Sequence, residues 1–213
     1  MKLPILYSFK RCPYAMRARM AFYLSNLKCE IREVSLRNKP KEMIRISPKA
    51  TVPVLENNNE VLDESMDIIN WIIKKNNPFT VKQSNADKSF VESTINLFDK
   101  KFKFHLDRYK YATRYENEDP INHRNSCLKI LVNLENKSKY EPWFYGEHID
   151  KIDISILPFI RQFRIADEEW FDSLNSIPNI QKWLIFFLDS DIFKNIMISL
   201  KPWAKKDQPI IFP

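Results

Sequence analysis

The sequence predicts an α/β N-terminal domain with a mixed four-stranded sheet, in the order βαβ-α-ββα, followed by an all-α helical C-terminal domain. Three observations predict this fold class. Short apolar runs alternate with helical patterns in the first part of the chain. A polar stretch opens at Asn76-Asn77-Pro78 and reaches Asp87, as a linker would. Beyond it, apolar residues recur only at helical spacing. We therefore assign residues 1–78 to the first domain and residues 87–213 to the second.

The first domain opens with an apolar run over residues 3–9, which predicts a strand. Apolar side chains then recur at helical spacing over residues 16–27, and the mixed stretch 29–36 predicts a second strand. A short helix is expected over residues 39–46. Because a strand–helix–strand crossover is right-handed, we expect the two strands in one sheet covered by helices.

The rest of the first domain is a hairpin and a helix. Two short apolar runs, residues 52–55 and 61–62, flank the polar turn Asn57-Asn58-Asn59, which predicts a hairpin. A helix then begins near Glu64-Ser65. Its apolar positions share one face, so the helix is expected to pack on the sheet.

The second domain has its clearest helix start at Asp150. Asp150 suits the N-cap, Asp153 suits the third helical position, and Ile149 and Ile154 occupy the two positions of a hydrophobic staple. Pro158 falls inside this pattern, so we expect a kink there if the helix continues past it. Further helices are expected over residues 90–102 and 122–139, from Pro178, and near Asp191.

Composition excludes several classes of site. Gly146 is the only glycine in 213 residues. Rossmann and P-loop sites need several glycines for close backbone approach, so nucleotide-binding enzymes of those types are excluded. No Cys-x-x-Cys pair occurs, and His105, His123 and His148 lie far apart in the sequence, so no metal site is predicted.

The chain also carries signals about compartment and partners. Three widely spaced cysteines do not suggest a disulfide framework and indicate a reducing compartment. No apolar run approaches the roughly 18–20 residues of a membrane span, and no signal-peptide pattern is present, so we expect a cytoplasmic protein with no membrane partner. The formal net charge is +7, but charges of both signs are spread along the chain. This pattern is typical of a solvated basic surface, so no nucleic-acid partner is expected.

The most informative stretch is Cys12-Pro13-Tyr14-Ala15, which follows the first strand. Pro13 suits the first position of a helix. Cys12 would then face the unpaired N–H groups at the helix start, which favour the nucleophilic thiolate, and Lys10, Arg11 and Arg17 add positive potential. Because Ala15 stands where a second cysteine could resolve a mixed disulfide, an outside thiol such as glutathione must do so.

Two further stretches fit the same ligand. Val52-Pro53 precedes a strand, and a cis peptide bond there would leave the backbone of Val52 open to pair with an extended peptide. Glu64-Ser65 stands at a helix start, where Ser65 suits a carboxylate and Glu64 suits an ammonium group. Together they fit the γ-glutamyl end of glutathione, which carries both charges.

In this order and spacing, these stretches resemble the glutathione S-transferase superfamily and, within it, the omega-like, cysteine-type branch. The resemblance is densest over roughly the first third of the chain. Later, residues 150–163 resemble the family's capping-box helix, and Trp203 lies near a family tryptophan beside the acceptor pocket. The resemblance implies a thioredoxin-like N-terminal domain and an active site in the cleft between the two domains. The matching strings are Tyr7-Ser8-Phe9, Cys12-Pro13-Tyr14-Ala15, Leu36-Arg37-Asn38-Lys39-Pro40, Val52-Pro53-Val54-Leu55-Glu56 and Glu64-Ser65.

The resemblance implies a role for each matching residue. Cys12 would form the mixed disulfide with glutathione, and Lys39 would meet its glycine carboxylate. Val52 would bond the cysteinyl backbone, with cis-Pro53 shaping the site. Glu64 and Ser65 would hold the γ-glutamyl group. Candidates for an acceptor pocket form an aromatic stripe, a pattern that is more typical of a core: Phe98, Phe102, His105, Tyr109 and Trp203.

The sequence departs from the family beside the expected proline. Ala50 replaces the usual glycine two residues before Val52, which would strain the backbone if its φ is positive, and Thr51 replaces the usual Lys or Leu. Tyr7 and Ser8 remain rivals to Cys12, because other classes of the family use a Tyr or Ser hydroxyl near that strand end.

The implied function is a glutathione-dependent transferase and thiol–disulfide reductase. We expect thiol transferase or dehydroascorbate reductase-type activity with weak conjugation of aryl halides. The expected partners are glutathione and a small electrophilic, disulfide or oxidised substrate, and the resemblance implies a homodimer. The alternative is a non-catalytic protein of the same fold that binds ligands or is associated with transcription; the intact Val52-Pro53 and Glu64-Ser65 count against it.

Overall fold

A computed structural model of the protein describes residues 2–137 and 141–213. The chain folds into two compact units. The first comprises Met1–Pro78 together with Asp189–Pro213, and the second comprises Phe79–Leu188.

A five-stranded mixed sheet, in the order β4-β3-β1-β2-β5, forms the centre of the first unit. The first and second strands pair in parallel, and the other neighbours pair antiparallel. This arrangement confirms the predicted βαβ unit and the predicted hairpin. The strands are β1 (Ile5–Ser8), β2 (Cys29–Glu33), β3 (Val54–Asn57), β4 (Glu60–Leu62) and β5 (Ile211–Phe212).

The helices confirm an α/β unit followed by helical segments. A π-helical turn, Phe98–Phe102, joins the fourth helix to the fifth, and a 3-10 turn, Ala112–Arg114, follows the fifth. The helices are α1 (Pro13–Ser25), α2 (Lys41–Ile46), α3 (Ser65–Lys75), α4 (Asn85–Leu97), α5 (Lys103–Lys110), α6 (Pro120–Glu135), α7 (Lys151–Ala166), α8 (Glu168–Asp172), α9 (Pro178–Asp189) and α10 (Asp191–Ile196).

The C-terminal residues differ from the sequence-based expectation. The sequence predicts four strands and assigns all of residues 87–213 to the helical domain, whereas the structure adds β5 to the sheet and groups Asp189–Pro213 with the first unit. β5 pairs with β2, with Phe212 opposite Cys29. Without it, β2 would be an edge strand with unpaired N–H and C=O groups. A two-residue strand is too short for its apolar pattern to be recognised in the sequence.

A buried ion pair ties these elements together. Arg19 of α1 is fully buried and pairs with Glu33 of β2. Its Nε donates to Ser8 Oγ at 2.7 Å, and its Nη1 donates to the carbonyl of Ile196 in α10 at 2.8 Å. One guanidinium therefore links two neighbouring strands, the first helix and the C-terminal segment.

In the second unit, α7 begins at the predicted capping box. Asp150 is the N-cap, and the side chains of Asp150 and Asp153 each accept from the backbone in the reciprocal pattern. Asp153 is fully buried and accepts from the N–H of Phe144 at 2.9 Å, of Asp150 at 2.7 Å and of the Trp183 indole at 2.8 Å. The helix continues past Pro158 to Ala166.

Two further segments of the second unit were predicted to be helical. The long helix expected over residues 90–102 is α4 followed by the π-helical turn, and the helix expected over residues 122–139 is α6, which ends at Glu135. Positions 138 and 139 lie outside the described residues. No helix among the described residues is long and apolar enough to cross a membrane.

Replacing Asp153 tests the capping box. Asp153→Ala removes the acceptor for three buried N–H groups, so we expect the free energy of unfolding to fall by about 3 kcal/mol or more. Asp153→Asn keeps the volume and one carbonyl oxygen and should cost less. Urea denaturation measures both, with exposed Glu169→Ala as the control. A loss for Asp153→Ala no larger than that of the control would contradict this role.

Candidate active site

Cys12 occupies the N-cap of α1. Its backbone is extended, with φ −76° and ψ 125°, and Pro13 is the first helical residue. Its N–H donates to the carbonyl of Phe9 at 2.9 Å, which closes the turn out of β1. The side chain is half-buried, so the sulfur lies at the start of the helix without being sealed in the core.

Val52 lies beside this sulfur. The antiparallel register of β1 on β3 sets Tyr7 opposite Val54. Two residues earlier on that segment, the carbonyl oxygen of Val52 is 3.6 Å from Cys12 Sγ. The Val52–Pro53 peptide bond is cis, as the sequence predicts. The structure therefore brings Cys12, Val52 and Pro53 together.

Glu64 and Ser65 form the start of α3. Glu64 is the N-cap, and Ser65 is the first helical residue. The Ser65 hydroxyl accepts a hydrogen bond from Nη1 of buried Arg17 at 3.3 Å, and that guanidinium lies over the ring of Tyr14, 5.4 Å from its centroid. Arg17 thus connects the cysteine helix to Ser65.

An ion-pair network holds the loop before Val52. Lys49 Nζ lies 2.6 Å from Glu64 Oε1 and 3.0 Å from Asp63 Oδ1. The Ser47 hydroxyl donates to Asp63 Oδ2 at 2.7 Å. That hydrogen bond, reinforced by Lys49, holds the pKa of Asp63 below its usual range. The Glu64 side chain remains 68% exposed, so its carboxylate stays accessible to a ligand's ammonium group.

Both rival hydroxyls are buried and bound by arginines. The Tyr7 hydroxyl accepts from Arg32 Nη1 at 2.6 Å, and Ser8 Oγ accepts from Arg19 Nε at 2.7 Å. Tyr7 and Ser8 are fully buried. Burial raises the pKa of Tyr7, which outweighs the opposing effect of Arg32 and keeps the phenol neutral.

The other two cysteines differ from Cys12 in exposure. Cys29 and Cys127 are fully buried. Burial raises the pKa of both thiols, so each stays protonated and unreactive. Of the three cysteines, Cys12 is therefore the one that is not sealed in the core.

The remaining candidates are Lys39 and the aromatic residues. Within residues 2–137 and 141–213, Lys39 makes none of the hydrogen bonds or ion pairs that join the other candidates; it lies in the connection before α2. Phe98 and Phe102 are fully buried and stacked at 4.5 Å, so they belong to the core and not to a pocket wall. Trp203 packs edge-on against Tyr7, with ring centroids 6.3 Å apart.

The net charge lies in the first unit. That unit contains 18 Lys and Arg against 11 Asp and Glu, whereas the second contains 16 of each. The +7 of the chain thus belongs to the unit that carries Cys12. A positive potential of this kind raises the local concentration of anionic ligands.

Sequence reasoning missed one residue of the site. It treated Arg17 only as a source of positive potential, whereas the structure shows a buried side chain bonded to Ser65. The signal was present in the sequence: Arg17 and Arg19 interrupt an otherwise apolar stretch, Ala15 to Phe22. Charged residues with apolar neighbours on both sides are buried only when they are paired.

Comparison with known proteins finds similarity to glutathione S-transferases. Residues 6–79 match the family model described as Glutathione S-transferase, N-terminal domain. Glutathione S-transferase L1 of Arabidopsis thaliana is 28% identical over 187 residues, which span 84% of this chain and 75% of that relative. Glutathione S-transferase U19 of the same plant is 26% identical over 212 residues, 95% of this chain and 84% of the relative.

Residues 6–79 thus resemble a glutathione S-transferase N-terminal domain, and the curated relatives bear the same family name. Solved glutathione transferase structures share the fold of this chain. The Tau class glutathione S-transferase MiGSTU of mango, Mangifera indica, superposes with a TM-score of 0.78 at 23% identity, covering 92% of this chain and 93% of that one. Glutathione transferase Omega 3C of Trametes versicolor gives 0.78 at 19% identity, covering 96% and 93%.

Ala50 adopts a backbone conformation that favours glycine, which carries a conformational cost. Its φ is +54°, in the left-handed region. A non-glycine residue there costs about 1–2 kcal/mol, whereas glycine loses about 0.5–1 kcal/mol more chain entropy on folding. We expect Ala50→Gly to raise the free energy of unfolding by up to about 1 kcal/mol, measured by urea denaturation.

Ala21→Gly is the matched control for Ala50→Gly. Ala21 lies inside α1 with right-handed helical geometry, so glycine there should lower the free energy of unfolding by about 1 kcal/mol. Equal destabilisation by the two substitutions would show that Ala50 is not strained.

Proposed function

We propose that this protein is a glutathione-dependent thiol transferase in which Cys12 is the nucleophile. The observation that carries the proposal is the placement of a half-buried Cys12 sulfur at the N-terminus of α1, 3.6 Å from the Val52 carbonyl. The helix N–H groups favour the thiolate, and the Val52 backbone beside cis-Pro53 would pair with an extended, peptide-like ligand. The matched family model and the curated relatives are named glutathione S-transferases, which supports the broader assignment as a glutathione transferase.

The chemistry is two thiol–disulfide exchanges. The Cys12 thiolate attacks the glutathionyl sulfur of a mixed disulfide, forms a new S–S bond to it, and releases the substrate sulfur as a thiolate that takes a proton from water. A second glutathione thiolate then attacks the glutathionyl sulfur on Cys12. Glutathione disulfide leaves, and the Cys12 thiolate is restored.

The rival hydroxyls are less suited to this step. Tyr7 and Ser8 are buried and bound by Arg32 and Arg19. The raised pKa of Tyr7 disfavours the phenolate. The Ser8 hydroxyl belongs to the buried network that joins α1 to β2. Disturbing either group would affect folding before it affected a reacting sulfur.

We propose that glutathione lies along Val52 and Ser65. The Val52 backbone would bond the cysteinyl residue of glutathione, next to cis-Pro53. Ser65, supported by Arg17, would bind the γ-glutamyl carboxylate, and Glu64 would bind its ammonium group. Lys39 would meet the glycine carboxylate. Glutathione carries a net negative charge, and the +7 of the first unit favours its approach.

The substrates of this mechanism are small disulfides and oxidised compounds. Glutathionylated small molecules fit the two exchanges directly, and dehydroascorbate reductase-type activity uses the same cysteine and the same co-substrate. Conjugation of aryl halides is expected to be weak, because it requires activation of the glutathione thiol and not of Cys12.

Substitution of Cys12 tests the mechanism. We expect Cys12→Ala and Cys12→Ser to lower glutathione-dependent reduction of a small mixed disulfide by about 10³-fold or more, because the nucleophile is lost. Tyr7→Phe and Ser8→Ala, checked for folding by circular dichroism, should stay within about tenfold of the wild type. Full activity in Cys12→Ala, or a loss confined to Tyr7→Phe, would contradict the proposal.

Ser65 tests the proposed binding of glutathione. Ser65→Ala removes a hydrogen bond to the γ-glutamyl carboxylate, so we expect the KM for glutathione to rise about tenfold with little change in kcat. Exposed Ser93→Ala is the matched control. Calorimetry adds a readout that does not depend on turnover: no heat of glutathione binding to the wild type at millimolar concentration would favour the non-catalytic alternative.

A further inference from the structure

Two histidines on neighbouring helices of the second unit are hydrogen-bonded to each other. His105 lies in α5 and His123 in α6, and their Nδ1 atoms are 2.8 Å apart. The His123 side chain is 14% exposed, and His105 is half-buried. A separation of 2.8 Å between two ring nitrogens is that of a hydrogen bond, so one Nδ1 carries a proton and the other accepts it.

This geometry limits how many protons the pair can hold. A neutral imidazole has a proton on one ring nitrogen and a lone pair on the other, whereas an imidazolium ion has a proton on both. If both rings were imidazolium ions, two N–H groups would face each other across 2.8 Å and the two positive charges would repel. The hydrogen bond between α5 and α6 therefore persists with at most one of the two rings charged, whichever ring that is.

A chain of charged side chains extends this contact to the connection between the two helices, residues 111–119. Glu118 Oε2 in that connection lies 2.7 Å from His123 Nε2 and 2.7 Å from Arg108 Nε in α5. The Arg108 guanidinium also lies over the rings of Phe104 and Tyr115, 3.5 and 4.5 Å from their centroids. The histidine pair is thus part of a network that joins α5, α6 and their connection.

The groups around His105 disfavour a further proton on it. Burial, His123 and Arg108 lower the pKa of His105, and Lys101 in the π-helical turn acts in the same direction. Glu118 raises that pKa, but less strongly than Arg108 lowers it. In the unfolded chain a histidine has a pKa of about 6.5. Below that pH the unfolded segment binds a proton that the folded pair resists, so the folded pair loses stability as the pH falls.

We propose that the His105–His123 hydrogen bond is an acid-sensitive latch between α5 and α6. The latch is closed at neutral pH. As the pH falls, protons from the solvent bind to the pair until the accepting Nδ1 takes one, and the N–H···N hydrogen bond then breaks; no covalent bond between heavy atoms changes and no electron is transferred. The two rings separate, and the facing parts of α5 and α6 loosen together with residues 111–119.

Hydrogen exchange measured by mass spectrometry on the full chain tests the latch. His105→Asn is the test variant, because the Asn side chain can still hydrogen-bond near the former Nδ1 position but does not titrate. We expect wild type and variant to exchange alike at pH 7.5 in peptides covering residues 103–123. At pH 5.5 the wild type should exchange up to about tenfold faster there, since that pH is about one unit below the usual histidine pKa.

His148→Asn is the matched control, since His148 is exposed and lies in the connection between α6 and α7. This variant should keep the wild-type pH dependence of exchange. Equal exchange of wild type and His105→Asn at pH 5.5, or an acceleration spread evenly over the whole chain, would overturn the proposal.

Nuclear magnetic resonance of the histidine rings gives a readout that needs no substitution. His105 should titrate at a lower pH in the folded chain than in the chain unfolded by urea, because the folded pair resists the second proton. Titration of His105 at the same or a higher pH in the folded chain would also overturn the proposal.

Discussion

The antiparallel register of β1 on β3 is the constraint on which the candidate site depends. Setting Tyr7 opposite Val54 fixes where β1 ends, and so where Cys12 begins α1, relative to the segment that carries Val52. A slip of one residue would turn every side chain of β1 to the other face of the sheet. The 3.6 Å approach of the Cys12 sulfur to the Val52 carbonyl is thus a consequence of strand pairing as much as of the local motif.

Two buried arginines on α1 connect that helix to the rest of the unit. Arg19 joins Glu33, Ser8 and the Ile196 carbonyl, and Arg17 joins Ser65. Losing one partner of such a buried charge is costly, because the remaining ion cannot return to water. The same helix therefore presents Cys12 at its start and, one turn later, carries the charge that supports the proposed ligand-binding serine.

The sequence predicts the features that depend on local rules. The β-α-β order, the Cys12-Pro13 helix start, the cis bond at Pro53 and the capping box at Asp150 all follow from short patterns, and the structure has each of them. Long-range pairing is what the sequence does not show. β5 is two residues long and joins β2 from the far end of the chain, and the approach of His105 to His123 depends on how two helices pack.

We propose that Cys12 alone presents a reactive sulfur to glutathione. Mass spectrometry of the intact chain after incubation with glutathione disulfide, followed by peptide mapping, tests this claim most directly. We expect one glutathionyl group per chain, attached to Cys12 and removed by excess glutathione, because Cys29 and Cys127 are buried. An unmodified chain, or a modification on Cys29 or Cys127 in the folded protein, would contradict it.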